Sequence, residues 1–178
     1  MKKLILLAIA FIAFQTSFAQ KFSKGDTFVE GTVKFVSSDT EDTFNLNPAV
    51  GYFLTDKFAV GAELNTQSTK DGAGVKTSDS FGVGVFARCF FLEVNKLQVY
   101  SQLGVSTNDD KITTEKSTQA ALGLGANYFI TNKLSLTMKV AELASYRAIS
   151  GGDNRLAVGF EGVNNPFSLA SLGLNYRF

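Results

Sequence analysis

Six charged residues stand out as candidates for chemistry. Glu30, Lys34, Glu63, Arg88, Lys139 and Arg177 share the glycine- and amide-rich face of segments in which apolar and polar residues alternate. Enclosed together, carboxylates and cations either satisfy one another as ion pairs or line a hydrated path. The chain has no histidine, which removes serine and cysteine triads with a histidine base, histidine zinc sites and imidazole acid-base catalysis. The single cysteine, Cys89, cannot form an internal disulfide and reads as a small apolar strand residue. Two G-x-G stretches, from Gly82 and Gly123, lie inside strand patterns with no following helix, so they are not phosphate loops. The run "STNDDKITTE" from Ser106 lacks the spacing, glycine and closing glutamate of a calcium hand. No catalytic, cofactor-binding or metal-ligating set emerges, and no cofactor is expected.

What must position the six charges follows from the rest of the chain. Residues 1–19 combine Lys2 and Lys3, an apolar run of 11 residues from Leu4 to Phe14 and the small-residue pattern Ser17-Phe18-Ala19. This predicts a secretory signal peptide cut after Ala19, since a membrane-spanning helix needs roughly 20 apolar residues. No cysteine follows the run to carry a lipid. The expected domains are therefore the leader, 1–19, and one domain over 20–178. Formal charge is +1 for the whole chain, and without the two leader lysines nothing basic remains to suggest a nucleic-acid partner.

Three segments repeat at a spacing of 38 residues: "YFLTDKFAVGAEL" from Tyr52, "FFLEVNKLQVYSQL" from Phe90 and "YFITNKLSLTMKV" from Tyr128. Each has an aromatic pair, a short turn with Asp56, Asn95 or Asn132 before a lysine, and a fresh alternating run. That is a tight β-hairpin used three times. Between the hairpins lie polar stretches near 37–42, 67–79, 106–117 and 147–166, which predict long, solvated, mobile loops. Three turns and four loops give eight strands, drawn at 26–36, 43–54, 58–67, 79–91, 97–106, 118–130, 134–145 and 167–178. Most exceed ordinary globular strands and match the roughly 9–11 residues that cross a bilayer at a tilt.

Alternation alone does not say which face meets water. Here the polar face is mostly glycine, small residues and amides, which suits the crowded lumen of an eight-stranded barrel better than a solvated exterior. Phe35, Phe44, Tyr52, Phe58, Phe81, Phe91, Tyr128, Tyr176 and Phe178 fall near strand ends, as interface girdles require. The expected fold is all-β, an eight-stranded antiparallel up-and-down transmembrane β-barrel whose apolar face meets lipid and whose lumen holds the six charges as a structural network. Pro48 falls inside the second strand and predicts a bulge or a late start. The strand-like "RLAVGFEG" from Arg155 is expected to extend the fourth loop, with Pro166 ending the irregular part.

Over nearly all of residues 22–178 the chain resembles the small outer-membrane β-barrel family, of the OmpX-like and OmpA-transmembrane-domain type. The features that carry the resemblance are the "YFLTDKFAVG"-like hairpins, glycine-rich strands such as "SFGVGVFA" and "AALGLGANYF", and the closing strand "SLGLNYRF". In that family a final strand with set polar, glycine and aromatic positions is recognised by the barrel assembly machinery, and Ser171, Gly173, Tyr176 and Phe178 stand at the matching positions. The resemblance implies integral placement in the cell outer membrane, both termini periplasmic and long loops outside. Implied partners are outer-membrane lipids, the assembly machinery and an extracellular partner held by the loops, with the barrel itself a monomer.

The expected function is a non-enzymatic surface barrel with a structural, surface-interaction or adhesion role. The alternative is a small pore or ligand-binding barrel, in which Glu30, Glu63, Arg88 and Lys139 line a hydrated path. A lipid-modifying or proteolytic barrel ranks below these because the chain lacks histidine, and a soluble lipocalin-like carrier ranks last.

Overall fold

The computed structural model describes residues 21–38, 40–161 and 171–178, with the side chains of Phe160 and Glu161 excepted. The leader over 1–19 and Pro166 lie outside the described residues. Nine strands form one antiparallel sheet: β1 (Thr27–Ser37), β2 (Glu41–Thr55), β3 (Phe58–Asp71), β4 (Lys76–Val94), β5 (Leu97–Asp110), β6 (Lys116–Phe129), β7 (Leu134–Ile149), β8 (Arg155–Glu161) and β9 (Ser171–Arg177). Each of β1 to β7 pairs with the next, and β9 pairs with both β1 and β7, so eight strands close into a barrel.

The strands are tilted because the closure is staggered. Stepping across partners from Leu134 leads through Tyr176, Val29, Val50, Ala62, Val85, Val105 and Ala120 back to β7 at Tyr146, twelve residues further along. Such a shear sets the tilt and leaves a lumen that side chains can fill. It also explains β8. β9 meets β7 only over Leu134–Lys139, and β8 takes the next stretch of the same edge, Glu142–Arg147. The strand-like segment from Arg155, expected to extend the fourth loop, is thus a strand paired with β7 that forms no ninth stave of the barrel.

The hydrophobic pattern is inverted relative to a water-soluble protein. Val29, Val33, Phe35, Phe44, Val50, Val83, Val85, Leu103, Val105, Leu172 and Leu174 point outward and are exposed, while Glu30, Arg88, Asn127 and Asn175 are buried. An apolar exterior around a polar interior, with the eight strands paired all the way round, is what a bilayer demands.

The two ends are built differently. At the end where β1 begins and β9 finishes, hereafter the terminal end, Asp56-Lys57 and Asn95-Lys96 make two-residue turns, and Asn95 takes the left-handed conformation (φ 53°) that asparagine tolerates. At the other end the expected long loops are mostly strand. Pairs such as Glu41↔Asp71, Ser68↔Asp79 and Asp109↔Lys116 carry the ladder through them. Only 72–75 and 111–115 remain as turns between β3 and β4 and between β5 and β6. Beyond the bilayer both faces of a strand are wet, so apolar alternation disappears while backbone pairing continues. Pro48 brings neither a bulge nor a late start. The β2–β3 register is the same on either side of it, with the ladder interrupted there at Asn47 and Pro48, where the missing N–H leaves nothing to donate; the register shift in this pair lies further on, between Phe53 and Thr55.

Candidate functional site: a lumen closed at one end

The lumen is filled in layers. At the terminal end it holds an aromatic plug. Phe22, from the segment before β1, stacks on Phe53 with ring centroids 4.4 Å apart and lies 5.2 Å from Phe129, 5.8 Å from Phe28 and 5.8 Å from Phe90. All five rings are buried. The repeated aromatic pair now has a meaning. In β2 and β6 the first ring, Tyr52 or Tyr128, points outward and the second, Phe53 or Phe129, points inward; in β4 Phe90 points inward and Phe91 outward. Glycines make room for the rings. A Cβ on Gly51 would lie 2.2 Å from the Phe28 ring, and one on Gly125 2.3 Å from Tyr100.

The segment that delivers Phe22 is pinned across the barrel end. Lys24 N–H donates to Asp56 Oδ1 (2.8 Å) and Gly25 N–H to the Phe53 carbonyl (2.9 Å). Arg177 Nη1 donates to the Lys21 carbonyl (2.5 Å) and to Asp26 Oδ2 (3.1 Å), and its Nη2 to the Asn132 carbonyl (2.6 Å).

Above the rings sits a buried ion pair. Arg88 Nη1 and Nη2 donate to Glu30 Oε2 (2.9 Å) and Oε1 (3.1 Å), a two-pronged match of guanidinium and carboxylate. Arg88 Nε and Nη2 also donate to Gln102 Oε1 (3.0 and 2.7 Å), and Asn175 Nδ2 donates to Glu30 Oε2 (3.2 Å). The guanidinium carbon lies 4.1 Å from the Tyr100 ring centroid and 5.1 Å from that of Phe86, so rings and carboxylate together replace the water both charges gave up. Higher again, Lys139 Nζ donates to Glu63 Oε2 at 3.2 Å.

Of the six charges singled out in the sequence, four therefore meet in two ion pairs. Arg177 closes the terminal end with Asp26, and Lys34 lines the cavity above the pairs, where it makes no ion pair among the described residues. In β9, Ser171 lines that cavity, and Gly173 backs so closely onto β1 that a Cβ would lie 2.0 Å from the Gly31 carbonyl oxygen. Tyr176 and Phe178 face outward with centroids 5.1 Å apart, edge to face. Sequence reasoning missed the aromatic plug and the amide partners Gln102 and Asn175. The signal was present for all of them but Phe22, which lies before β1, since the others fall at inward positions of their strands, as Glu30 and Arg88 do.

Above Tyr100 and Gln102 the lumen opens. A cavity of about 420 Å³ is lined by Lys34, Asn45, Gln102, Gln119 and Lys139 among others. A second, of about 410 Å³, shares Asn45, Asn47, Gln67 and Gln119 with it and reaches Thr113 and Glu115 in the β5–β6 turn. The two make one polar well, entered from the extended end and floored by the Arg88 layer. Among the described residues no group of three or more histidine, cysteine or acidic side chains could hold a metal ion.

No curated protein sequence matches the chain. Among solved structures it is similar to the outer membrane protein OprG from Pseudomonas aeruginosa, at 17% identity and a TM-score of 0.51, covering 90% of this chain and 99% of that one. It is also similar to the Yersinia pestis outer membrane protein Ail, at 15% identity and a TM-score of 0.51, covering 87% and 100%. These likenesses are of fold. The profile of the outer membrane protein beta-barrel domain matches residues 4–178. The chain belongs to that family, as an integral barrel of the outer membrane.

Proposed function

We propose that the protein is a non-enzymatic surface barrel, with its extended end outside the cell, both termini in the periplasm and its leader cut after Ala19. In this reading it serves as a rigid structural or interaction element, and the partner of its outer end meets a fixed polar rim rather than mobile loops. It works as a monomer, and Ser171, Gly173, Tyr176 and Phe178 form the signal read by the assembly machinery. The observation that carries the proposal is the floor of the lumen. Arg88, Glu30, Phe28, Phe53 and Phe129 are each no more than 1% exposed, so two of the four charges that suggested a hydrated path are consumed in a plate across the barrel, and the other two, Glu63 and Lys139, pair with each other above it. That plate weighs against a pore. The chain has no histidine, and Glu30 and Glu63 are engaged in ion pairs, so neither of these two carboxylates is placed as a free general base.

The test combines conductance and labelling. Purified protein in planar bilayers should give no reproducible channel events, and a thiol at Thr113 in a Cys89→Ser background should react with an impermeant maleimide on intact cells. Steady channels would restore the pore reading, and a protected Thr113 thiol would reverse the orientation.

A further inference from the structure

Above its floor the lumen changes chemistry, from groups that satisfy one another to groups that do not. Asn47 Nδ2 donates to Asn65 Oδ1 at 2.5 Å, which leaves the Asn65 amide protons free to turn elsewhere. Asn45, Gln67 and Gln119 line both halves of the well, and their side chains have no hydrogen-bond partner among the described residues. The Asn45 Oδ1 is fully covered and unpaired. These amides stand on β2, β3 and β6, so they present donors and acceptors from more than one wall.

The charges around them are largely spoken for. Asp110 accepts from the Ser78 hydroxyl and from the N–H groups of Ile112 (2.8 Å) and Thr113 (3.0 Å). Arg147 Nη2 donates to Ser117 Oγ (3.3 Å), and Lys139 is held by Glu63. Over both halves the lining holds three cations, Lys34, Lys139 and Arg147, and three carboxylates, Asp110, Glu115 and Glu142, so the well carries no net formal charge to attract an ion. An apolar guest would strand the amides without water or partners, at a cost.

We propose that this well binds a short neutral oligosaccharide entering from the extended end. A sugar hydroxyl donates once and accepts twice, which matches side-chain amides that do both. The cavity lies within the roughly 300–1,000 Å³ of small-molecule sites. The inference goes beyond the surface role and takes from it only the closed floor.

The test uses the full chain refolded in a detergent without a sugar headgroup, with maltotriose, cellotriose and chitotriose as probes in saturation-transfer NMR. At least one should bind saturably and move the side-chain amide resonances of Asn45, Gln67 and Gln119. A Gln67→Leu/Gln119→Leu variant that keeps its heat-modifiable gel mobility should bind at least about tenfold more weakly. No saturable binding by any of the three, or shifts confined to turn residues, would overturn the proposal. So would tighter binding of trigalacturonate, which would make the site one for anions. If the double variant does not fold, the wild-type resonance shifts decide alone. A leaking floor would appear as conductance whatever the sugars do, so the two readings fail separately.

Discussion

Phe22 stacks on Phe53 at 4.4 Å, and through that contact a residue outside the sheet closes the terminal end of the barrel. The stack sits among Phe28, Phe90 and Phe129, so most of its surface is taken out of water. Replacing Phe22 with alanine removes the keystone without touching a ladder hydrogen bond. The expected cost is about 3–5 kcal/mol, read as a lower urea midpoint in lipid vesicles. Amide exchange should speed up at Phe53 and Phe129 more than in the extended ends of β3 and β4.

The Arg88–Glu30 pair predicts an asymmetry between single and double substitution. Arg88→Met leaves a buried carboxylate whose remaining hydrogen-bond donor is Asn175, and such an orphaned charge costs about 3–5 kcal/mol. Adding Glu30→Leu removes the orphan, so the double variant should recover most of the loss. Urea unfolding of the wild type, both single variants and the double variant measures this. Equal losses in the Arg88→Met and double variants would mean that the guanidinium acts through packing on Tyr100 and Phe86 alone.

How much of this was legible beforehand depended on which solvent each segment meets. Inside the bilayer, period-two alternation placed Glu30, Glu63, Arg88 and Lys139 on one face, and the Asp56 and Asn95 turns sit between the strands they separate. Outside it the same rule failed. The stretches 67–71 and 106–110 lost their alternation and looked like loop, yet their backbones stay in register with β2, β4 and β6. The plug was hidden for another reason. Phenylalanine suits a lipid interface and a packed lumen equally well, and only parity relative to Arg88 distinguishes Phe90 from Phe91.

Glycine substitutions should separate close approach from mere flexibility. Gly51→Ala drives a Cβ to 2.2 Å from the Phe28 ring, whereas Gly31→Ala meets nothing within 4 Å. The first should cost about 1–3 kcal/mol through overpacking, and the second should stay within about 0.5 kcal/mol as an open site does. Parallel unfolding curves check the pair.

Asp110 links the extended end to pH. Burial alone would raise its pKa, but the Ser78 hydroxyl and the Thr113 and Ile112 N–H groups hold it at about 2, against an ordinary value of 3.8. Because the folded value is the lower one, the stabilisation is present above about pH 4 and is lost as pH falls through 2. Carboxyl NMR should give a midpoint near 2, and Ser78→Ala should move it up. The same variant should loosen the 111–115 turn at neutral pH, seen as faster exchange of the Thr113 amide.

Deleting Phe178 tests whether the last residue is structure or signal. Its side chain is 67% exposed, its main contact is the edge-on ring of Tyr176, and its N–H adds one bond to the Thr27 carbonyl at 3.0 Å. Those contacts are small beside the β9 ladder, which runs from Ser171 to Arg177 against β1 and β7. If Phe178 acts only through them, refolding in vitro and surface levels in cells should fall together and slightly, by no more than about 1–2 kcal/mol. If it is read during assembly, refolding of the truncated chain into detergent should be nearly normal while its level in the outer membrane drops severalfold. The second pattern is the expected one, since little in the folded barrel leans on this ring.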